Sequence, residues 1–229
     1  MRIALAPLTG LLAVVFTVVG FLLLGGTPGA DASGGEVRSF YAGHESQGAV
    51  SLYLLVLAGA LFAFFAARLA RDLHGPTSSS GSWLHHVVFG AGLLIAVSFW
   101  TGASMILALL DLSGEPGVSD GTLQSLNALN ETFFVPFLGG MGMLLVAAGL
   151  VLVRRTPADA LPRWLGWVAL VVGVLLFVPW VGFFAFLLAG LWVVTTSVLL
   201  ALRSGGAASV DAQMNESGVS SGHRRSEID

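Results

Sequence analysis

Long apolar runs separated by short polar segments dominate the chain. The runs cover residues 3–24, 50–67, 83–110, 132–153 and 164–202. The hydrocarbon core of a bilayer is about 30 Å thick, and roughly 20 apolar residues of helix cross it. Each of the first four runs therefore predicts one span. The last run, as a single helix rising about 1.5 Å per residue, would reach nearly twice the core thickness. It contains Pro179-Trp180-Val181-Gly182, the Pro and Gly of a tight turn, and divides there into spans over 164–178 and 181–202. The pattern predicts an all-α, six-helix transmembrane bundle over residues 1–203.

The polar segments are short. Segment 25–49 is rich in Gly at first and becomes more specific at residues 37–47. Segment 111–131 opens on Gly and Pro turn signals, then reads as helical from Asp120, with Ser119 or Asp120 as N-cap. Segment 72–82 holds Pro76 and three consecutive serines and reads as flexible. The tail, 204–229, is polar and rich in Gly and Ser, the composition of a disordered cytoplasmic tail. Arg2, the first apolar run and Ala30-Asp31-Ala32 also resemble a signal peptide. The run is longer than the 7–15 residues typical of such a core, which favours a retained helix.

Charge orients the spans. All ten Lys+Arg residues are arginine. With six spans and both termini cytoplasmic, Arg2, Arg68, Arg71, Arg154, Arg155, Arg163, Arg203, Arg224 and Arg225 fall inside, and Arg38 alone falls outside. This is the asymmetry that Lys and Arg show across cell membranes.

Composition narrows the chemistry. The chain is 55% hydrophobic and 10% charged, against about 45–50% and about 25% in soluble domains. Without cysteine or lysine, thiolate nucleophiles, cysteine-held metals, Schiff bases and Walker-type lysines are excluded. A net charge of −3 offers no basic face for nucleic acid. Residues 117–121 and 218–222 match G-x-S-x-G, but a nucleophile elbow needs a strand-to-helix turn. His44-Glu45-Ser46-Gln47-Gly48 lacks the second histidine of a zinc-protease motif. His85 and His86 are adjacent and share no helical ligand face. No catalytic residue, metal or cofactor is expected.

The constellation with most chemical content is Asn127, Asn130 and Glu131, on one helical face at i, i+3 and i+4. Asp111 ends the third span, and His44 and Glu45 precede the second. Together these six residues read as an outward polar vestibule for a cation or polar solute. The same residues also suit a plain structural role, capping and solvating the helix ends. Within the spans no charge occurs, which disfavours a proton relay or ion path. Gly102 in the third span, and Gly139, Gly140 and Gly142 in the fourth, read as helix-packing positions where backbones approach closely.

Residues 37–47 (VRSFYAGHESQ) and 161–167 (LPRWLGW), with the asparagines before the fourth span, resemble uncharacterised multi-pass membrane proteins of actinobacteria. The resemblance implies a six-helix fold in the cell membrane and supplies no catalytic residues. The expected partner is the lipid bilayer, with a second membrane protein or another copy of the chain beside it. Two readings stay open: a non-enzymatic protein acting by association within the membrane, and a transporter-like or sensor protein binding a small solute at the vestibule.

Overall fold

A computed structural model describes residues 8–74, 83–132, 134–154, 161–178 and 180–225, with side chains through Arg203. The described residues form helices and no strand. In chain order they are α1 (Thr9–Leu24), α2 (Gly34–Gly43), α3 (Glu45–Leu73), α4 (Leu84–Ser113), α5 (Asp120–Thr132), α6 (Phe134–Arg154), α7 (Arg163–Leu175) and α8 (Gly182–Arg225). Among the described residues, four stretches are long and apolar enough to cross a membrane: Glu45–Leu73, Leu84–Ser113, Asp120–Arg154 and Gly182–Arg203. α1 and α7 are shorter apolar helices, and the start of the first apolar run lies outside the described residues.

Each long apolar run gives a helix because helical backbone satisfies its own hydrogen bonds where no water can. The helices overrun the apolar runs where polar residues continue them. α3, for example, starts at Glu45 and ends at Leu73. The break expected at 179–182 separates α7 from α8. The backbone of α8 stays helical to Arg225, where the tail's composition suggests an irregular chain. An existing helix propagates without a new nucleus, and no proline interrupts this stretch.

Six helices form a closed circuit in which α1 packs on α3, α3 on α4, α4 on α6, α6 on α7, α7 on α8 and α8 back on α1. Polar side chains pin several of these seams. Ser51 of α3 donates to the Gly20 carbonyl of α1 (2.7 Å), Trp100 of α4 to Val56 of α3 (3.2 Å), and Trp192 of α8 to Leu165 of α7 (3.0 Å). The bundle's outer surface is apolar: Leu22, Phe64, Val171, Phe183 and Leu191 are all exposed. Such a surface belongs in lipid rather than water.

The two ends of the bundle differ. One carries Arg68 and Arg71 of α3, Arg154 of α6, Arg163 of α7 and Arg203 of α8. Arg163 donates there to the Val153 carbonyl (2.9 Å), and the His74 and His85 rings lie 4.5 Å apart. The other end is covered by α2, α5 and the α1–α2 connection, and holds Arg38.

Candidate functional site

The cap over the second end is built by hydrogen bonds rather than by a large core. α2 starts with a capping box: Ser33 Oγ accepts from the Glu36 amide (3.3 Å), and Glu36 Oε2 accepts from the Ser33 amide (2.8 Å). The Ser33 amide first, and its hydroxyl second, hold the Glu36 carboxyl below the ordinary carboxylate range. α5 starts in the same style, with Ser119 Oγ accepting from the Thr122 amide (3.2 Å). The two starts press together at Gly34, where any Cβ would collide with the Asp120 carbonyl. Only glycine permits that approach.

Arg38 fastens the joint. Its guanidinium donates to the carbonyls of Ser113 (3.1 Å), Glu115 (3.3 Å) and Val118 (2.5 Å), and to Asp120 Oδ1 (3.2 Å). Beneath it Val37, Tyr41 and Leu123 are fully buried. Asn127 ties α5 to the α1–α2 connection, its Nδ2 donating to the carbonyls of Pro28 (3.1 Å) and Gly29 (2.9 Å).

Two cavities lie under this cap. The first, about 260 Å³, is lined by Phe21, Leu24, Ile106 and Phe134, with Asn130 and Glu131 as its polar wall. The second, about 380 Å³, is lined by Tyr41, Leu107 and Leu110 with Glu45 and Asp111. Asn130 is 5% exposed, and its Oδ1 is buried without a hydrogen-bond partner. The Tyr41 hydroxyl and Asn127 Oδ1 are buried unpartnered as well. Native structures rarely leave buried polar atoms unsatisfied, and those that stay so call for an explanation such as a ligand or water. Burial first, and the charge of Glu131 second, push the Tyr41 phenol up to about 12.

The expected vestibule is thus divided. Asn130 and Glu131 share the first cavity, while Glu45 and Asp111 share the second. Asn127 is fully buried and serves as a tether. His44 stacks on Phe40 (4.4 Å), and its Nδ1 lies 2.8 Å from the Phe40 carbonyl, at the joint between α2 and α3. Of the expected packing glycines, Gly102 is buried in α4. Gly140 lies against Ile95 and the Ala91 carbonyl, Gly142 against Phe177 and the Gly173 carbonyl, and Gly139 faces open space. Sequence reasoning missed Tyr41, Phe21 and the clamp role of Arg38. The Ser33-x-x-Glu36 spacing marks a helix start, and Val37 and Tyr41 at i, i+4 mark its buried face. Those signals were available for α2.

Chemically, each cavity offers a carboxylate beside apolar walls, a setting for a small cation. Among the described residues, no three His, Asp or Glu side chains gather as a metal-holding group. Fold and site together define a helical protein with membrane-spanning dimensions and a polar, partly buried site under a helical cap. Compared with protein families, curated proteins and solved structures, the chain matches none.

Proposed function

We propose that the protein is a non-enzymatic, six-span membrane protein of the cell membrane that binds a small organic cation under its α2–α5 cap. Both termini are cytoplasmic and the cap faces outward. This orientation follows from Arg68, Arg71, Arg154, Arg163 and Arg203 at the opposite end, the side that Lys and Arg favour in cell membranes. α1 and α7 are counted as spans because they complete the helical circuit.

One observation carries the binding reading. Asn130 is almost wholly buried, has an unpartnered Oδ1, and lines a cavity beside the Glu131 carboxylate. Charge adds to it: segments 25–49 and 111–131 hold seven carboxylates and one arginine. Arg38 is already engaged by three carbonyls and Asp120. An acidic face of this kind concentrates cations. The test is calorimetric titration of the purified protein with ethylammonium chloride, against sodium chloride at equal ionic strength. Saturable binding is expected, weakened on the order of tenfold in Asn130→Ala, the value of a hydrogen bond to a charged group. Equal heats in the parent and the variant overturn the reading.

Association within the membrane is supported by Gly139 of α6, whose position has nothing within 4 Å of an added Cβ. A neighbouring helix can approach a backbone closely at such a residue. The chain has no cysteine, so Gly139→Cys should form a disulfide-linked dimer in native membranes if copies pair there. A monomer under oxidation removes that pairing.

A further inference from the structure

A third cavity, about 340 Å³, lies deeper in the bundle and is almost entirely apolar. Its walls include Val14 of α1, Phe62 of α3, Phe137 and Met141 of α6, and Phe186 and Gly190 of α8. Its one hydroxyl, Thr17, already donates to the Ala13 carbonyl (2.7 Å), so no free donor faces a polar guest. A desolvated ion here would be costly, which removes an ion path and leaves hydrocarbon as the fitting content. The volume lies within the range of about 300–1,000 Å³ typical of ligand pockets.

This cavity and the Asn130–Glu131 cavity have no lining residue in common, but both are walled by successive turns of the same two helices, α1 and α6. On α1, Val14, Thr17 and Val18 line the deep one and Phe21 and Leu24 the capped one. These positions recur at three- and four-residue steps and so form one stripe of the helix. On α6, Phe134 lines the capped cavity, and Phe137 and Met141 line the deep one. Phe134 stacks on Phe137 (5.3 Å) and meets Phe186 edge-on (5.4 Å), forming an aromatic step between the two. From Val14 to Leu24 the helix rises about 15 Å, the extended reach of a zigzag chain of roughly twelve to thirteen carbons, whose bonds of about 1.5 Å each advance about 1.25 Å. At the rim Val18, Leu187 and Leu191 are half or more exposed, so the deep cavity opens sideways between α1 and α8.

We propose that the two cavities are head and tail of one site, and that its ligand is an ammonium-headed hydrocarbon chain. The head sits at Glu131 and Asn130, and the tail lies along α1 past Phe134 to Met141 and Gly190. The proposal rests on the cation reading above and adds the ligand's class. The chain can come from a bilayer lipid with an amine head or from a free amphiphile.

The test is photolabelling of the full-length protein in phosphatidylglycerol nanodiscs with dodecylamine that carries a diazirine at its tail end. Labelling is expected at Phe137, Met141, Phe186 and Gly190. It should be lost in Glu131→Gln, which removes the head's counter-charge, and in Gly190→Leu, which fills the tail cavity. Ethylammonium binding should persist in Gly190→Leu. Val194→Phe, at the same wall, stands in if Gly190→Leu does not fold. Labels spread over the outward-facing Leu22 and Phe64, unchanged in both variants, overturn the proposal while ethylammonium binding keeps the cation reading. If ethylammonium also fails to bind, both fall. Phosphatidylethanolamine discs that suppress the label identify a bilayer lipid as the source, and unchanged labelling identifies a free amphiphile.

Discussion

Gly149 of α6 and Gly166 of α7 face each other across the seam between their helices. A Cβ on Gly149 would lie 2.8 Å from the Gly166 carbonyl oxygen, and one on Gly166 would lie 3.1 Å from that of Gly149. Seven residues away on each helix a glycine again meets a glycine's backbone, a Cβ on Gly142 lying 3.2 Å from the Gly173 carbonyl oxygen. The two helices run antiparallel with glycine against glycine, in register. Small residues of this kind let helices pack where lipid offers no hydrophobic drive.

Gly166→Leu should therefore push α7 off α6, because the nearest atoms, Leu152 Cβ, the Val153 amide nitrogen and the Gly149 carbonyl oxygen, are backbone or fixed directly to it and cannot give way. Overpacking costs about 1–3 kcal/mol, read as a lower thermal midpoint of the purified protein. Gly90→Leu, at a position with nothing within 4 Å of an added Cβ, is the control and should leave the midpoint unchanged. Equal loss in both would remove the seam from the account.

Arg38 should hold the cap mainly through carbonyls. Three of its partners are backbone oxygens, while its ion-pair partner Asp120 has a side chain 62% exposed. Exposed ion pairs contribute little, roughly 0–1 kcal/mol. Hydrogen bonds from a charged donor contribute about 1.5–3 kcal/mol. Arg38→Ala should thus free α2 and α5 to amide exchange far more than Asp120→Asn. Arg38→Lys should rescue only partly, lacking the planar fork. Similar exchange in Asp120→Asn and Arg38→Ala would assign the clamp to the ion pair.

Tyr41 gives the cap an alkaline limit. Its phenol is pushed up to about 12 by burial and then by Glu131, against about 10 in an unfolded chain. The folded cap favours the neutral phenol. Its contribution is therefore complete below about pH 10, and it is lost as pH rises from there through the folded value. The chain has two tyrosines, so phenolate absorbance in Tyr53→Phe reports Tyr41 alone. A titration near 12 is expected, moving downward in Glu131→Gln. Titration at the ordinary phenol value would show that Tyr41 is solvated.

Much of the helical layout was legible because apolar runs are local: residues 83–110 announce α4 without reference to any other part of the chain. The start of α5 at Asp120 was equally local, written in its cap and turn signals. The seam of Gly149 and Gly166 was not, since a glycine in a helix does not name the helix it faces. At the site, Asn130 and Glu131 were legible as neighbours one residue apart. That Asn127 would spend its amide on carbonyls 98 and 99 residues earlier depends on how the α1–α2 connection folds under α5. The second cavity has the same origin, because Tyr41, which lines it, is brought there by α2.

The central claim is an outward-facing cation site under the cap, and one thiol tests it. Thr27 lines the Asn130–Glu131 cavity, and the natural chain contains no cysteine to compete. Thr27→Cys in intact cells should react with a membrane-impermeant thiol reagent. Ethylammonium should slow that reaction, and adding Glu131→Gln should abolish the protection. Labelling confined to inverted membranes, or a rate that ethylammonium leaves unchanged, would contradict the account.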